Sequence, residues 1–456
     1  MASRSAKYPK SKIEMTVSRT ICLGFLAIIL TGAMLLMLPF STTSGQWNDP
    51  LVSLFTSTSA VCVTGHVVVD TATHFSRFGQ LIIMLLIQIG GLGYMTVTTF
   101  LLLLLGRRFG LKDKIAIQQS LDRRALQGST QILQSIVATT LLFELTGAFL
   151  LLLVFVPDLG WAKGLWFAIF HSVSAWNNAG FGLFSDNLVG YRGSLLVNAV
   201  ITGLIIFGGI GYEVILELYV MLQERQQKMK TARTLNFRVA VSTTLFLLFG
   251  GTLAIWAIET RNPQTLGSLN IFEQVLAAWF QAVTARTAGF NTIDQSKLTI
   301  AGLFVTVALM FVGGSPGGTA GGLKTSTARV IASCTYAVLQ GKESVILYRR
   351  QVPNTLLLKA TAVAFGSLVT VLCGTIAISI AEPRLNFITI LFEVVSAFAT
   401  VGLSTGITAG LTSFSKLVLI ATMYIGRVGI LLLISSVLGD PQPSAVSYPE
   451  ESLLVG

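Results

Sequence analysis

Apolar residues along this chain do not alternate with polar ones; they run on for the length of a membrane crossing. Such stretches cover residues 18–39, 78–105, 133–156, 194–222, 239–259, 300–330, 358–380 and 414–437. Each is near or above the roughly 20 residues that a helix needs to traverse about 30 Å of hydrocarbon. The pattern predicts eight spans. After each odd-numbered span comes a second apolar stretch, too short to cross, that runs into small residues and a glycine. The four read TSTSAVCVTGH (Thr56 to His66), HSVSAWNNAGF (His171 to Phe181), QAVTARTAGFN (Gln281 to Asn291) and SAFATVGLSTG (Ser396 to Gly406). Aligned on Gly65, Gly180, Gly289 and Gly402, they recur after 115, 109 and 113 residues.

A second register supports the first. Each following span carries a glycine cluster 24 to 28 residues after the aligned glycine: Gly90-Gly91-Leu92-Gly93, Gly208-Gly209-Ile210-Gly211, Gly313-Gly314 and Gly426-Arg427-Val428-Gly429. Close helix packing explains glycine in any one membrane helix, but not its return at matching offsets in four quarters. The chain thus divides into a cytoplasmic segment 1–17 and four repeats, 18–127, 128–238, 239–353 and 354–456. Each repeat predicts a span, a half-crossing helix, an extended glycine-containing strand and a second span. Bare backbone is tolerated at membrane depth only inside protein or against water. Four such units around one axis meet that condition, giving an all-α polytopic fold with pseudo-fourfold symmetry around one pore. Glycine accepts positive φ and lets a carbonyl face inward. Rings of carbonyls can replace the hydration shell of a monovalent cation, and the carboxyl ends of the half-crossing helices favour positive charge. The implied activity is transport of a dehydrated cation.

Composition narrows the class. Only 11% of residues are charged, against about 25% in soluble proteins. The net charge of +11 is a matter of topology rather than of nucleic-acid binding, because its lysines and arginines gather in four places. These are the N-terminus (Arg4 to Arg19), the loop from Arg107 to Arg124, the loop from Arg225 to Arg238, and the stretch from Arg329 to Lys359. By the positive-inside rule these connections are cytoplasmic, and so is the N-terminus. The first apolar run is too long for a cleaved signal and reads as a retained span. Cys22, Cys62, Cys334 and Cys373 have no CxxC spacing, which argues against a disulfide framework or a zinc site.

The segment GGSPGGTAGGLKTST, from Gly313 to Thr327, interrupts the sixth span. A phosphate-binding loop requires Gly-Lys-Ser/Thr, whereas Leu323 separates Gly322 from Lys324. No helix continues well through Pro316 and its flanking glycines, so an irregular intramembrane segment is expected, needing water or polar partners. Arg427 lies within the last span, where a lipid-facing charge is costly; it is expected in the bundle interior, and a purely structural reading pairs it with an intramembrane acid such as Glu213 or Glu144. Asp70, Asp186 and Asp294 lie five or six residues past three of the glycines, and Ile407 breaks the series in the fourth quarter. They read equally as a mouth that concentrates cations and as solvated loop residues. His171 and Asp186 are the nearest approach to a catalytic pair, and their spacing gives no reason to pair them. The chain is not expected to be an enzyme.

At these residues the sequence resembles the Trk/Ktr/HKT superfamily of potassium transporters, most like the membrane subunit of the bacterial Ktr type. The resemblance rests on TSAVCVTG, SAWNNAGF, TARTAGFN, FATVGL, GGSPGGTAGGLKTST and IGRVG in combination, and extends to the C-terminal SYPEESLLVG. It implies a potassium selectivity filter formed by Cys62, Val63, Thr64 and Gly65; Asn178, Ala179 and Gly180; Thr287, Ala288 and Gly289; and Thr400, Val401 and Gly402. K+ would sit at the carbonyls of Gly65, Gly180, Gly289 and Gly402. In that family serine at the first of these glycines accompanies sodium permeation, so Gly65 implies potassium selectivity. It further implies a gate made of Gly313, Gly314, Ser315, Pro316, Gly317, Gly318, Thr319, Ala320, Gly321 and Gly322, with Arg427 lining the pore, bonded to the loop's carbonyls and opposing cation passage when closed, and Lys324 marking the loop's cytoplasmic end and snorkelling.

Two residues depart from the family pattern: Cys62 stands where a small hydroxyl or aliphatic residue is usual, and His66 replaces a leucine. Either His66 points away from the axis, or it is a titratable group at the outer mouth with Asp70, Asp186 and Asp294. No GxGxxG follows a predicted strand, so nucleotide control belongs to another polypeptide. The resemblance implies a homodimer seated on a cytoplasmic ring of nucleotide-binding RCK subunits, in a bacterial plasma membrane. No cofactor is expected in this chain; K+ is the transported ion and Na+ an activator. The basic loops from Arg107 and Arg225 are candidate contacts for the ring or for anionic lipid. A coupled symporter with a midplane site is the competing reading, but such folds use repeats of opposite orientation, whereas the charged loops give all four quarters one orientation.

Overall fold

A computed structural model of the chain describes residues 16–93, 129–227 and 233–438. Each unit opens with a long helix: Val17–Met37, Ser129–Leu159, Leu235–Glu259 and Asn354–Ala381. All four contain stretches long and apolar enough to cross a membrane. Their outward faces are apolar, with Leu23 51% and Phe246 75% exposed, while buried serines, threonines and amides are interspersed in an apolar interior.

The half-crossing helices are Pro50–Val61, Trp161–Trp176, Ile271–Thr284 and Phe387–Phe398. Asp49 caps the first, accepting from Leu51 and Val52 N–H groups, and Asn270 caps the third. Their C-terminal turns are buried. The second helix of each unit, Arg77–Leu92, Leu195–Ile210, Ile300–Phe311 or Ser413–Val428, begins at a hydroxyl cap: Ser76, Ser194, Thr299 and Thr412. A Ser or Thr at this position satisfies an otherwise orphaned N–H.

These second helices depart from the sequence expectation. The stretches 194–222 and 414–437 are not straight spans. They bend by 104° between Ile210 and Tyr212 and by 93° between Val428 and Ile430. The cause lies in the glycines: Gly211 has φ 98° and Gly429 φ 88°, values closed to a continuing right-handed helix. The first unit's helix likewise stops before Gly93, at φ 79°. The third unit breaks at Val312, and the chain resumes helix at Thr325.

The leading glycine of each cluster has a different task. Gly90 abuts the Val61 carbonyl, Gly208 that of Trp176 and Gly426 that of Phe398, each so closely that a Cβ would collide. In three units, therefore, the second helix rests directly on the carboxyl end of its short helix. The all-helical expectation needs one amendment, a two-stranded hairpin pairing Ile346–Leu347 with Arg350–Gln351. Its Leu347 joins Val239, Ala337, Val345 and Val352 in a small separate core. The basic loop from Arg107 to Arg124, residues 228–232 of the one from Arg225, the N-terminal cluster Arg4 to Lys12, the distal part of stretch 78–105 and the C-terminal SYPEESLLVG lie outside the described residues.

Candidate functional site

The site is assembled where the four short helices end. In each, a carbonyl of the last turn accepts from the residue preceding the aligned glycine: Thr64 N to Ser59 O, Ala179 N to Ser174 O and Val401 N to Ser396 O, all at 2.8 Å, and Ala288 N to Thr284 O at 3.0 Å. The turn forces the residue two before each glycine into the left-handed region. Val63 has φ 53°, Asn178 56°, Thr287 68° and Thr400 52°. Side-chain-bearing residues held there cost about 1–3 kcal/mol each and persist only where the surroundings impose them. Gly65, Gly180, Gly289 and Gly402 are themselves at φ 85°, 69°, 78° and 89°.

The four glycines meet in cyclic order. A Cβ on Gly65 would strike the Ala179 carbonyl oxygen and lie 3.0 Å from the Gly180 Cα. One on Gly180 would lie 2.6 Å from the Ala288 oxygen and 2.8 Å from the Gly289 Cα. One on Gly289 would lie 2.6 Å from the Val401 oxygen, and one on Gly402 would strike the Thr64 oxygen and lie 2.9 Å from the Gly65 Cα, which closes the ring. A side chain at any of these positions would have to displace a neighbouring carbonyl.

The residues after the glycines line a cavity of about 620 Å³, open on one side, whose wall includes Asp70, Asp186 and Asp294. These carboxylates also cap turns: Asp70 accepts from Ala72 N, Asp186 from Gly190 N at 3.2 Å and Asp294 from Ser296 N, with Lys297 3.4 Å from Asp294. Placement and local capping coexist. His66 does not belong to this mouth. It is fully buried, with its Nε2 donating to the Glu393 carboxylate at 2.8 Å. Nor do His171 and Asp186 pair: His171 is buried, bonded to the Phe167 carbonyl at 2.8 Å and accepting from Leu183 N.

On the other side of the ring sits the Gly313–Gly322 segment. Gly321 touches the Thr400 side chain, a Cβ on Gly313 would lie 3.2 Å from Thr287 Cγ2, and Thr319 Oγ1 donates to Asn178 Oδ1 at 3.2 Å. Three of the four left-handed residues thus rest on this one segment. Its polar backbone is satisfied by the broken helix of the second unit: Ser315 N donates to Gly209 O at 2.9 Å, Thr319 N to Gly208 O at 3.1 Å, and Tyr212 N to Gly317 O at 3.2 Å.

Arg427 donates to the carbonyls of Thr319 and Gly90, tying the segment to the first unit. Of its two expected carboxylate partners, Glu144 accepts from Asn177 and Gln88 faces the same amide, while Glu213 accepts from Asn236. Lys324 does not extend away as a snorkelling side chain; its Nζ donates back to the Ala320 carbonyl at 2.6 Å. Sequence reasoning missed Arg286, which is buried in the third strand and donates to Gly313 O at 3.1 Å. It also missed Glu393. The available signal was the same for both, an ionisable residue inside apolar sequence. Among the described residues no cluster of His, Cys, Asp and Glu could hold a metal ion.

The chain belongs to the TrkH family of cation transport proteins, whose model matches residues 11–448. It is 40% identical over 445 residues to the Ktr system potassium uptake protein B of Bacillus subtilis, covering 97% of this chain and 98% of that one. It is 38% identical to the potassium/sodium uptake protein NtpJ of Enterococcus hirae, covering 98% and 99%. The crystal structure of the potassium transporter TrkH from Vibrio parahaemolyticus has a similar fold, with a TM-score of 0.71 over 94% of this chain and 86% of that one at 16% identity.

Proposed function

We propose that this chain is the pore-forming subunit of a bacterial potassium uptake system, in which the ring of Gly65, Gly180, Gly289 and Gly402 is the selectivity filter. The observation that carries the reading is the cyclic closure of those glycines, each against the carbonyl that precedes its neighbour. Positive φ at the glycine and two residues earlier, with the residue between them outside that region, turns consecutive peptide planes so that carbonyls can share one side. Carbonyls so arranged replace water around a monovalent cation. The relatives named for potassium uptake span nearly the whole chain, which supports potassium as the ion. The name of the Enterococcus relative supports an influence of sodium.

The Gly313–Gly322 segment is the gate in this reading. It lies against Asn178, Thr287 and Thr400, and Arg427 puts a positive charge beside the path. Uptake is then driven by the membrane potential, with the N-terminus cytoplasmic in the plasma membrane. A homodimer on a cytoplasmic RCK ring, which binds the nucleotide, would move the gate from outside the chain. Uptake in a potassium-transport-deficient cell tests the filter. Wild type is expected to prefer K+ over Na+, and Gly65→Ser to lose that preference because a side chain at φ 85° displaces the Ala179 carbonyl. Equal selectivity in the two would remove Gly65 from the filter.

A further inference from the structure

The strand following each filter glycine is anchored to a short helix by one residue of that helix. Glu393 lies three residues before Ser396, the residue whose carbonyl receives Val401 N; His171 stands in the same register before Ser174, and Gln281 before Thr284. His171 Nε2 accepts from Leu183 N at 3.3 Å, and Gln281 exchanges two bonds with Gln295 at 2.6 and 2.9 Å. In the first unit this register falls on Thr56, and the strand is held differently. His66, directly after Gly65, reaches across to the fourth unit and donates from Nε2 to Glu393 Oε2 at 2.8 Å.

The Glu393 carboxylate also accepts from Ser404 Oγ at 2.7 Å, Thr405 N at 2.9 Å, Thr405 Oγ1 at 3.2 Å and Thr408 Oγ1 at 2.9 Å. It is 1% exposed and His66 is 0% exposed. A buried carboxylate is tolerated only when its lone pairs are satisfied, and here donors from two units satisfy them. One side chain therefore fixes the backbone just beyond both Gly65 and Gly402. These are neighbours in the ring, Gly402 abutting the Thr64 carbonyl.

We propose that Glu393 is a positioning residue for ion discrimination, locking the first and fourth strands so that the ring stays at the size of dehydrated K+. This rests on reading the glycine ring as the filter. Slack at that seam would let the carbonyls follow a smaller ion, so selectivity would fall before folding did.

The test is the ratio of K+ to Na+ uptake in potassium-transport-deficient cells, normalised to protein in the membrane, for wild type, Glu393→Ala, His66→Leu, Glu393→Gln and Gly65→Ser. Glu393→Ala and His66→Leu should each lower the ratio by about tenfold, the scale of one charged hydrogen bond. Glu393→Gln keeps an acceptor for Thr405 N and an amide for His66, and should restore most of the ratio. A Gly65→Ser variant that loses selectivity while Glu393→Ala and His66→Leu keep the wild-type ratio overturns the role of Glu393 alone. Wild-type selectivity in Gly65→Ser overturns the filter reading and this proposal with it. If Glu393→Ala fails to accumulate, His66→Leu carries the test. Failure of both to accumulate also overturns the proposal, because the pair would then hold the fold as a whole.

Discussion

A single methyl group separates tolerance from collision at the ring. Gly180→Ala would put a Cβ 2.6 Å from the Ala288 oxygen at φ 69°. We expect it to abolish selective uptake and to cost about 1–2 kcal/mol from the left-handed backbone alone, read by thermal unfolding in detergent. Glu382, just past the fourth unit's long helix, gives a pH prediction. The Thr412 N–H donated to Glu382 at 2.8 Å, joined by the Ser415 hydroxyl, holds that carboxyl below its ordinary range. A carboxylate lowered on folding adds stability above its unfolded pKa and loses it as the pH falls through the folded value. Wild type should therefore exceed Glu382→Gln in stability by a constant margin at pH 6–8, and the margin should shrink as the pH falls below about 4.5. A margin that grows on acidification would exclude the carboxylate as its source.

Among the elements, the four second helices carry the contrast between units. Each starts at a hydroxyl cap, yet two bend sharply, and the third gives way to a segment that seats itself in the bend of the second. A Cβ on Gly211 would lie 2.5 Å from the Pro316 oxygen, at φ 98°. Gly211→Ala should therefore straighten the helix and push the segment off Gly208 and Gly209, raising uptake without altering ion preference. Uptake that falls while selectivity holds would contradict a gating role for the contact. Deleting residues 314–322 should likewise raise flux at unchanged preference; lowered flux in a protein that still reaches the membrane would count against a gate.

For the whole molecule, orientation is the testable property. The positive-inside pattern places the turn after Leu235–Glu259 outside and the turn after Thr325–Leu339 inside, and both Gln264 and Gln340 are exposed. A membrane-impermeant maleimide should label Gln264→Cys in intact cells and reach Gln340→Cys only after lysis; the reverse would invert the topology. Burial across the molecule follows the same logic, since polar residues such as Glu393 and His66 lie inside while Leu23 and Phe246 face outward.

Continuous apolar length and the offset from one aligned glycine to the next are properties of the linear chain, so membrane-length helices and a recurring glycine motif were legible before any folding. The sequence marked Gly65, Gly180, Gly289 and Gly402 as one set, and Arg427 as an interior charge. Folding, by contrast, set the bends of the fourth and eighth spans: nothing in the linear chain separates Gly211 and Gly429 from the other glycines of their clusters, and it is their φ of 98° and 88° that ends the helix there. The burial of His66 was illegible for the same reason. Its partner Glu393 is far along the chain in another unit, and no local pattern of apolar and polar positions records which buried acid meets which histidine.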